Sequence, residues 1–301
     1  MRRRTALVLP LLPMAIDTAR ADASHRQLAS YYQRHAALID GTVFGWDGAG
    51  TPQAMRNGFV QVAVSRDAWY GLTAAGDLQR WTDATAPAVT LRSGVVRVAA
   101  GASGWIAIDH DGSAWQAGPD DRAQRQLPQD LVDACVGDSA DYLVARDGRI
   151  FVRGLAHRGQ YGDGLLRTTP DYVATAGNAV AVRAHTGHAI HLRRDGTVMG
   201  TGGNRFGPLS SHGLGDKADR WGALFTGAAA IATGSRHSLA IRHDASLWVW
   251  GDGFSIAPMR LMEKDVVAVA AGDSATIALD AAGALWQWDA GRGPRRLTPR
   301  R

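Results

Sequence analysis

A single cysteine, Cys135, stands in 301 residues, so the chain has no internal disulfide. Glu263 is the only glutamate, and Lys217 and Lys264 are the only lysines. The strong surface helix formers are therefore almost absent, which argues against a helical-repeat protein. After the N-terminal segment no stretch reaches 18 apolar residues, so no membrane-spanning helix is expected. No G-x-S-x-G elbow occurs, and Gly200-Thr201-Gly202 has Arg205 where a dinucleotide loop needs its third glycine. The formal charge is +5. Arg and Asp are mixed evenly through the middle of the chain, unlike the concentrated basic patch of a nucleic-acid binder.

What the chain does have is glycine and repetition. Ser235–Gly251, SRHSLAIRHDASLWVWG, reads as two short strands around a turn at His243-Asp244-Ala245. Leu239 and Ile241 alternate with Ala240 and Arg242, and Trp248 and Trp250 share one face of the second strand. The turn residue recurs at Gly41, Gly76, Gly112, Gly148, Gly196, Ala245 and Gly283. Two places later stand Val43, Leu78, Ala114, Ile150, Val198, Leu247 and Leu285. Four before it stand Leu72, Ile108, Val144, Leu192, Ile241 and Leu279, with only the first copy out of register. A hairpin plus one further strand cannot bury its own faces, so seven copies predict a closed ring of them. The expected fold is an all-β, seven-bladed β-propeller of four-stranded antiparallel blades.

The pattern V-x-x-V-A-A-G, then His or a substitute, S-L-A-L and D-G-x-V/L-aromatic-x-W-G resembles the regulator of chromosome condensation family. It stands here in Val95–Gly101, Val266–Gly272 and Ser235–Gly251. Gly154–Gly164 and Gly202–Gly215 match that family's loop signature, and the resemblance covers about residues 34–297. The family's His position is kept at His188 and His237 and replaced by Ala68, Gly104, Ala140 and Ala275.

Residues 1–23 read as a secretory signal peptide. Arg2-Arg3-Arg4 is the basic region, Ala6 to Ile16 the apolar run and Ala21-Asp22-Ala23 the cleavage site. The expectation is an exported protein, periplasmic or secreted, beginning at Ser24. Loss of four arginines and two aspartates leaves 29 basic against 26 acidic residues, a net charge of +3. The propeller domain is expected over 24–297, with 24–33 either helix or strand, and 298–301 as a solvated basic tail. Ring closure is expected where the N-terminal end meets the strand near Pro294–Leu297.

Candidate chemistry is sparse. Gly137-Asp138-Ser139 and Gly272-Asp273-Ser274 resemble a hydrolase nucleophile triplet but fall at one repeat phase, as a position required by geometry would. His185, His188 and His191 are spaced by three, unlike the i, i+4 pair of a helical zinc site. Cys135 takes the phase of Ala100 and Ala271, which predicts a buried small side chain. We therefore expect no catalytic residue, no metal and no cofactor.

What departs from the repeat is more informative. The gaps from Gly148 to Gly196 and from Gly196 to Ala245 are each about twelve residues longer than the base period. Extra residues in a propeller map to loops on one face, often the binding face. The same segments could instead simply complete the family loop signature. Candidates are His157, Arg158, Tyr161 and Asp163 in one loop and Arg205, Phe206, His212, Asp216 and Trp221 in the other. Arg158, Tyr161, Arg205, Phe206 and Trp221 are the expected partner-binding residues. The expected function is a non-enzymatic, monomeric propeller that presents one loop face to a protein partner. The resemblance implies two alternatives. One is guanine nucleotide exchange on a small GTPase; the other is a secreted enzyme inhibitor of the β-lactamase-inhibitor propeller type.

Overall fold

The recurring turn residue holds a left-handed backbone in all seven copies. Its φ lies between 76° and 89° in the six glycines and is 61° at Ala245. Glycine meets that requirement without steric cost, whereas alanine is strained there. Residues 26–300, apart from 103, 119, 127, 211–214 and 290, are described by a computed structural model. The signal-peptide segment therefore lies outside the described residues. In the sixth blade the Arg242 amide donates to the Ser246 carbonyl at 2.9 Å and the Ala245 amide to the Arg242 carbonyl at 3.0 Å. The turn thus contains three residues rather than two. It joins strands His237–Arg242 and Leu247–Gly251, which pair antiparallel.

The first blade differs. Ile39 pairs directly with Thr42, so Asp40-Gly41 is a two-residue turn, with φ of 51° and 79°. Positive φ at both central residues matches the right-handed twist of the flanking strands. The missing residue explains the first copy's register. Leu38, three places before the anchor, pairs with Val43 as Ile241 pairs with Leu247.

Seven four-stranded antiparallel sheets occupy residues 26–57, 59–92, 95–126, 131–176, 179–225, 228–262 and 266–297. The chain is a seven-bladed, all-β propeller, and no helix occurs among the described residues. Residues Arg26–Tyr31, which could have been helix or strand, form the first blade's inner strand. The inner strands of all seven blades surround a central channel of about 380 Å3.

Adjacent blades are joined by a recurring backbone bond. The carbonyls of Gly41, Gly76, Gly112, Gly148, Gly196 and Ala245 accept from the first residue of the next blade's inner strand, at 2.9–3.2 Å. The anchor thus turns one hairpin and fixes the next blade. Between sheets, apolar side chains interlock: Trp250 is fully buried against Phe225, Ile231 and Leu209. Its indole N–H donates to the Pro208 carbonyl at 2.7 Å.

Each blade is built from consecutive strands, so closure does not depend on a strand borrowed from the other end. The first and seventh blades pack Phe44 and Trp46 against Ile277, Leu285 and Leu297. The Asp273 amide donates to the Tyr32 carbonyl at 3.0 Å. The expected solvated basic tail is exposed at Arg300 but pairs its backbone there. The Arg300 amide donates to the Pro52 carbonyl at 2.8 Å, and its carbonyl accepts from the Ala54 amide at 2.9 Å.

The histidines of the repeat are wedges between blades. His188 Nε2 lies 3.0 Å from Ser238 Oγ, and His237 Nε2 lies 3.1 Å from Thr276 Oγ1, each bond crossing to the next blade. Burial lowers the pKa of His188 to about 3, and of His35, His191 and His237 to about 4. All four imidazoles are neutral at ordinary pH.

Candidate protein-binding face

The antiparallel order puts all anchor turns on one face. The opposite face carries the turns after the inner strands and the loops that lead to the outer strands. Both enlarged loops belong to this second face, the first as residues 156–167 and the second in its described residues 204–210 and 215–216. The first packs against the two strands that flank the second: Thr201 Oγ1 donates to the Gly159 carbonyl at 2.8 Å, and the Gly164 amide to the Asp219 carbonyl at 2.8 Å.

The five expected anchors separate into two groups. Arg158, Arg205 and Phe206 are exposed. Tyr161 is not: it is fully buried with Tyr142, Val152 and Ala156, and its hydroxyl donates to the Gly154 carbonyl at 3.0 Å. Trp221 is half-buried, edge-on to the His191 ring at 4.7 Å, and its amide donates to the Gly162 carbonyl at 3.3 Å. Tyr161 seals the first enlarged loop to the fourth blade, so its ring is not at the surface, and Trp221 holds the same loop against the fifth. Asp163 pairs with Arg167, and the Asp216 carbonyl accepts from the Asn204 amide at 2.7 Å. His157 is exposed, and His212 lies outside the described residues.

Phe206 gathers neighbours that the sequence did not single out. The Arg236 guanidinium lies 4.5 Å from the ring centroid and that of Arg205 lies 5.8 Å from it. Ile256 lies beside the following residue, since a Cβ added at Gly207 would sit 3.2 Å from Ile256 Cγ2. Phe206 is 37 % exposed and Ile256 54 %. The sixth blade therefore supplies half of an aromatic, aliphatic and guanidinium patch. Its sequence signal was the unphased Ile256 in the short loop Asp252–Pro258. Arg236 was masked by its neighbour, the repeat residue His237.

Towards the axis, the same face is sealed. Tyr31 and Tyr32 of the first blade both donate to the Asp138 carboxylate of the fourth. Tyr31 stacks on His185 of the fifth, with 5.0 Å between centroids and 12° between planes. His185 Nδ1 is 3.1 Å from Thr186 Oγ1 and 3.3 Å from Ser235 Oγ. Burial raises the Tyr31 phenol well above its ordinary value, and the hydrogen bond to Asp138 adds to this. An aromatic bridge closed on the Asp138 carboxylate thus spans the channel mouth.

The serine triplets have structural contacts. Ser139 Oγ donates to the Thr186 carbonyl at 3.0 Å, and the Asp138 amide to the His185 carbonyl at 3.1 Å. His185, His188 and His191 make three separate sets of contacts, and no metal-binding group of three ligands occurs among the described residues. Cys135 is buried, which pushes its thiol up to about 11, and its sulfur accepts from the Ala184 amide at 3.2 Å.

No protein-family model matches the chain. Among solved structures it is similar to Prp20p of Saccharomyces cerevisiae, with a TM-score of 0.68, 17 % identity and coverage of 82 % of this chain and 80 % of that one. It is similar to human WBSCR16, with a TM-score of 0.66, 16 % identity and coverage of 90 % and 81 %. Yeast RCC1 (Prp20) bound to Kap60 matches with a TM-score of 0.63 at 16 % identity, covering 87 % and 69 %. At these identities the likeness establishes the fold alone, a β-propeller.

Proposed function

We propose that this chain is a non-enzymatic propeller that binds a protein partner through the face carrying the two enlarged loops. The patch of Arg205, Phe206, Arg236 and Ile256 carries this reading. Binding energy concentrates in a few aromatic and arginine side chains ringed by near-neutral contacts, and this patch supplies both kinds, exposed and in contact. The likeness to Prp20p supports it further, since that protein's structure was described with its binding to Gsp1p and histones and with Kap60 bound. We further propose export after cleavage behind Ala23; N-terminal sequencing of the exported protein should return Ser24.

The test starts with affinity capture by the purified protein, followed by calorimetric titration of the recovered partner. Phe206→Ala should weaken that binding at least tenfold, about 1.4 kcal/mol. Unchanged affinity would move the interface off this patch. Likeness to Prp20p, with its partner Gsp1p, also makes nucleotide exchange the second reading. Accelerated release of guanine nucleotide from a small GTPase would promote it.

A further inference from the structure

The central channel contains charge that the packing does not require. Gln27 Oε1 accepts from the Val62 amide at 3.4 Å, and Gln61 Oε1 accepts from the Val98 amide at 2.9 Å. Asp133 Oδ2 accepts likewise from the Val182 amide at 3.0 Å. At the same phase the third blade's residue, Arg97, has no acceptor to offer. It donates from Nε to Asp133 Oδ1 at 2.6 Å, while Arg183 Nη1 reaches Asp133 Oδ2 at 2.8 Å. Asp133 is 1 % exposed and needs one cation to balance it, yet two surround it. Both arginine side chains remain about one-third accessible, and both line the channel together with Arg26. The remaining wall is mostly alanine and valine, from Ala99 and Val62 to Ala270.

We propose that the channel is a binding site for a small phosphoryl-bearing anion, held between Arg97 and Arg183. A cleft with low-dielectric walls and an excess of one charge concentrates counter-ions. The planar fork of arginine matches phosphoryl oxygens, and two forks brought together on one carboxylate suit a tetrahedral group with several acceptors better than a planar one. The aromatic bridge of Tyr31 and Tyr32 lies at the far ends of the inner strands. Arg97 and Asp133 stand third in their inner strands and Arg183 fifth of six in its own, so the site lies inside the channel below the bridge, and entry is expected from the anchor-turn face. This site is independent of the partner-binding patch.

The experiment is calorimetric titration of the full chain with sodium pyrophosphate at low ionic strength, beside a melting curve with and without it. Saturable one-to-one binding that weakens with salt is expected, together with a raised melting temperature. Arg97→Met leaves Asp133 paired with Arg183 and should weaken binding at least tenfold, whereas Arg122→Met, exposed outside the channel, should leave it unchanged. Should Arg97→Met fail to fold, Arg97→Lys keeps the charge beside Asp133 but loses the fork, and at least threefold weakening is expected. No saturable heat from the wild type would overturn the proposal. So would equal binding by the folded Arg97 variant, which would mark an adventitious ion only.

Discussion

Ala245 pays a conformational cost that its six counterparts avoid, since it holds φ at 61° without being glycine. The left-handed conformation costs an L-residue about 1–2 kcal/mol, and glycine gives back about 0.5–1 kcal/mol through its greater freedom when unfolded. Ala245→Gly should therefore stabilise the protein by about 0.5–1 kcal/mol, read as a higher urea midpoint at unchanged slope. Gly148→Ala should do the reverse and by more, because its Cβ would meet the Asn178 backbone at 3.0 Å. The histidines give a second residue-scale expectation. Burial depresses the folded pKa of His35, His188, His191 and His237 below the unfolded value of about 6.5. The unfolded chain thus takes up protons first. Their stabilising effect is complete above pH 6.5 and is lost as pH falls towards 4, by up to about 1.4 kcal/mol per pH unit for each group. The melting temperature should be flat above pH 7 and drop steeply between 6.5 and 4.5. His188→Gln, which removes one of these sites, should flatten that descent. Equal melting temperatures at pH 7.5 and 5 would contradict the account.

At the scale of elements, the two enlarged loops show that departure from the repeat does not by itself mean exposure. Tyr161 and Phe206 both lie outside the sevenfold phase. Tyr161 folds inward and seals the loop to the fourth blade, while Phe206 stays at the surface under Arg236. Their truncations should separate cleanly. Tyr161→Ala removes a fully buried ring and should cost about 3–5 kcal/mol, as for other large aromatic truncations. Phe206→Ala should shift the melting curve little and act on partner binding instead. A double variant would confuse the two effects, so the singles are the informative pair in thermal unfolding. The hairpins were legible because their period-2 alternation and turn glycines are local. Which way a loop side chain points was not, because the contacts that decide it come from other blades. Tyr161 meets Tyr142, and Phe206 meets Arg236, at sequence distances no local pattern encodes. The patch on Ile256 and Arg236 stayed hidden for the same reason.

For the whole molecule, sevenfold repetition made the propeller and its blade number readable, but it left the first blade's turn and the closing contact undetermined. A periodic pattern does not say which strand begins a blade, and the two-residue turn at Asp40-Gly41 shifted the first copy by one. Closure depends on the seam between the first and seventh blades, since each repeat contacts only its neighbours. Two backbone hydrogen bonds at Arg300, which together make a parallel bridge to Gln53, clamp that seam at the outer strand of the first blade. Each such bond contributes about 0.5–1.5 kcal/mol net. Ending the chain after Leu297 should therefore destabilise the ring by about 1–3 kcal/mol and raise hydrogen exchange at the amide of Ala54 before that of the sixth blade. Arg300→Ala keeps both backbone groups and should be near neutral in the same urea titration. If the alanine variant were as unstable as the truncation, the side chain rather than the backbone would be closing the ring. If neither moved the midpoint, the packing of Phe44 and Trp46 against Ile277 and Leu297 would suffice to hold the seam alone.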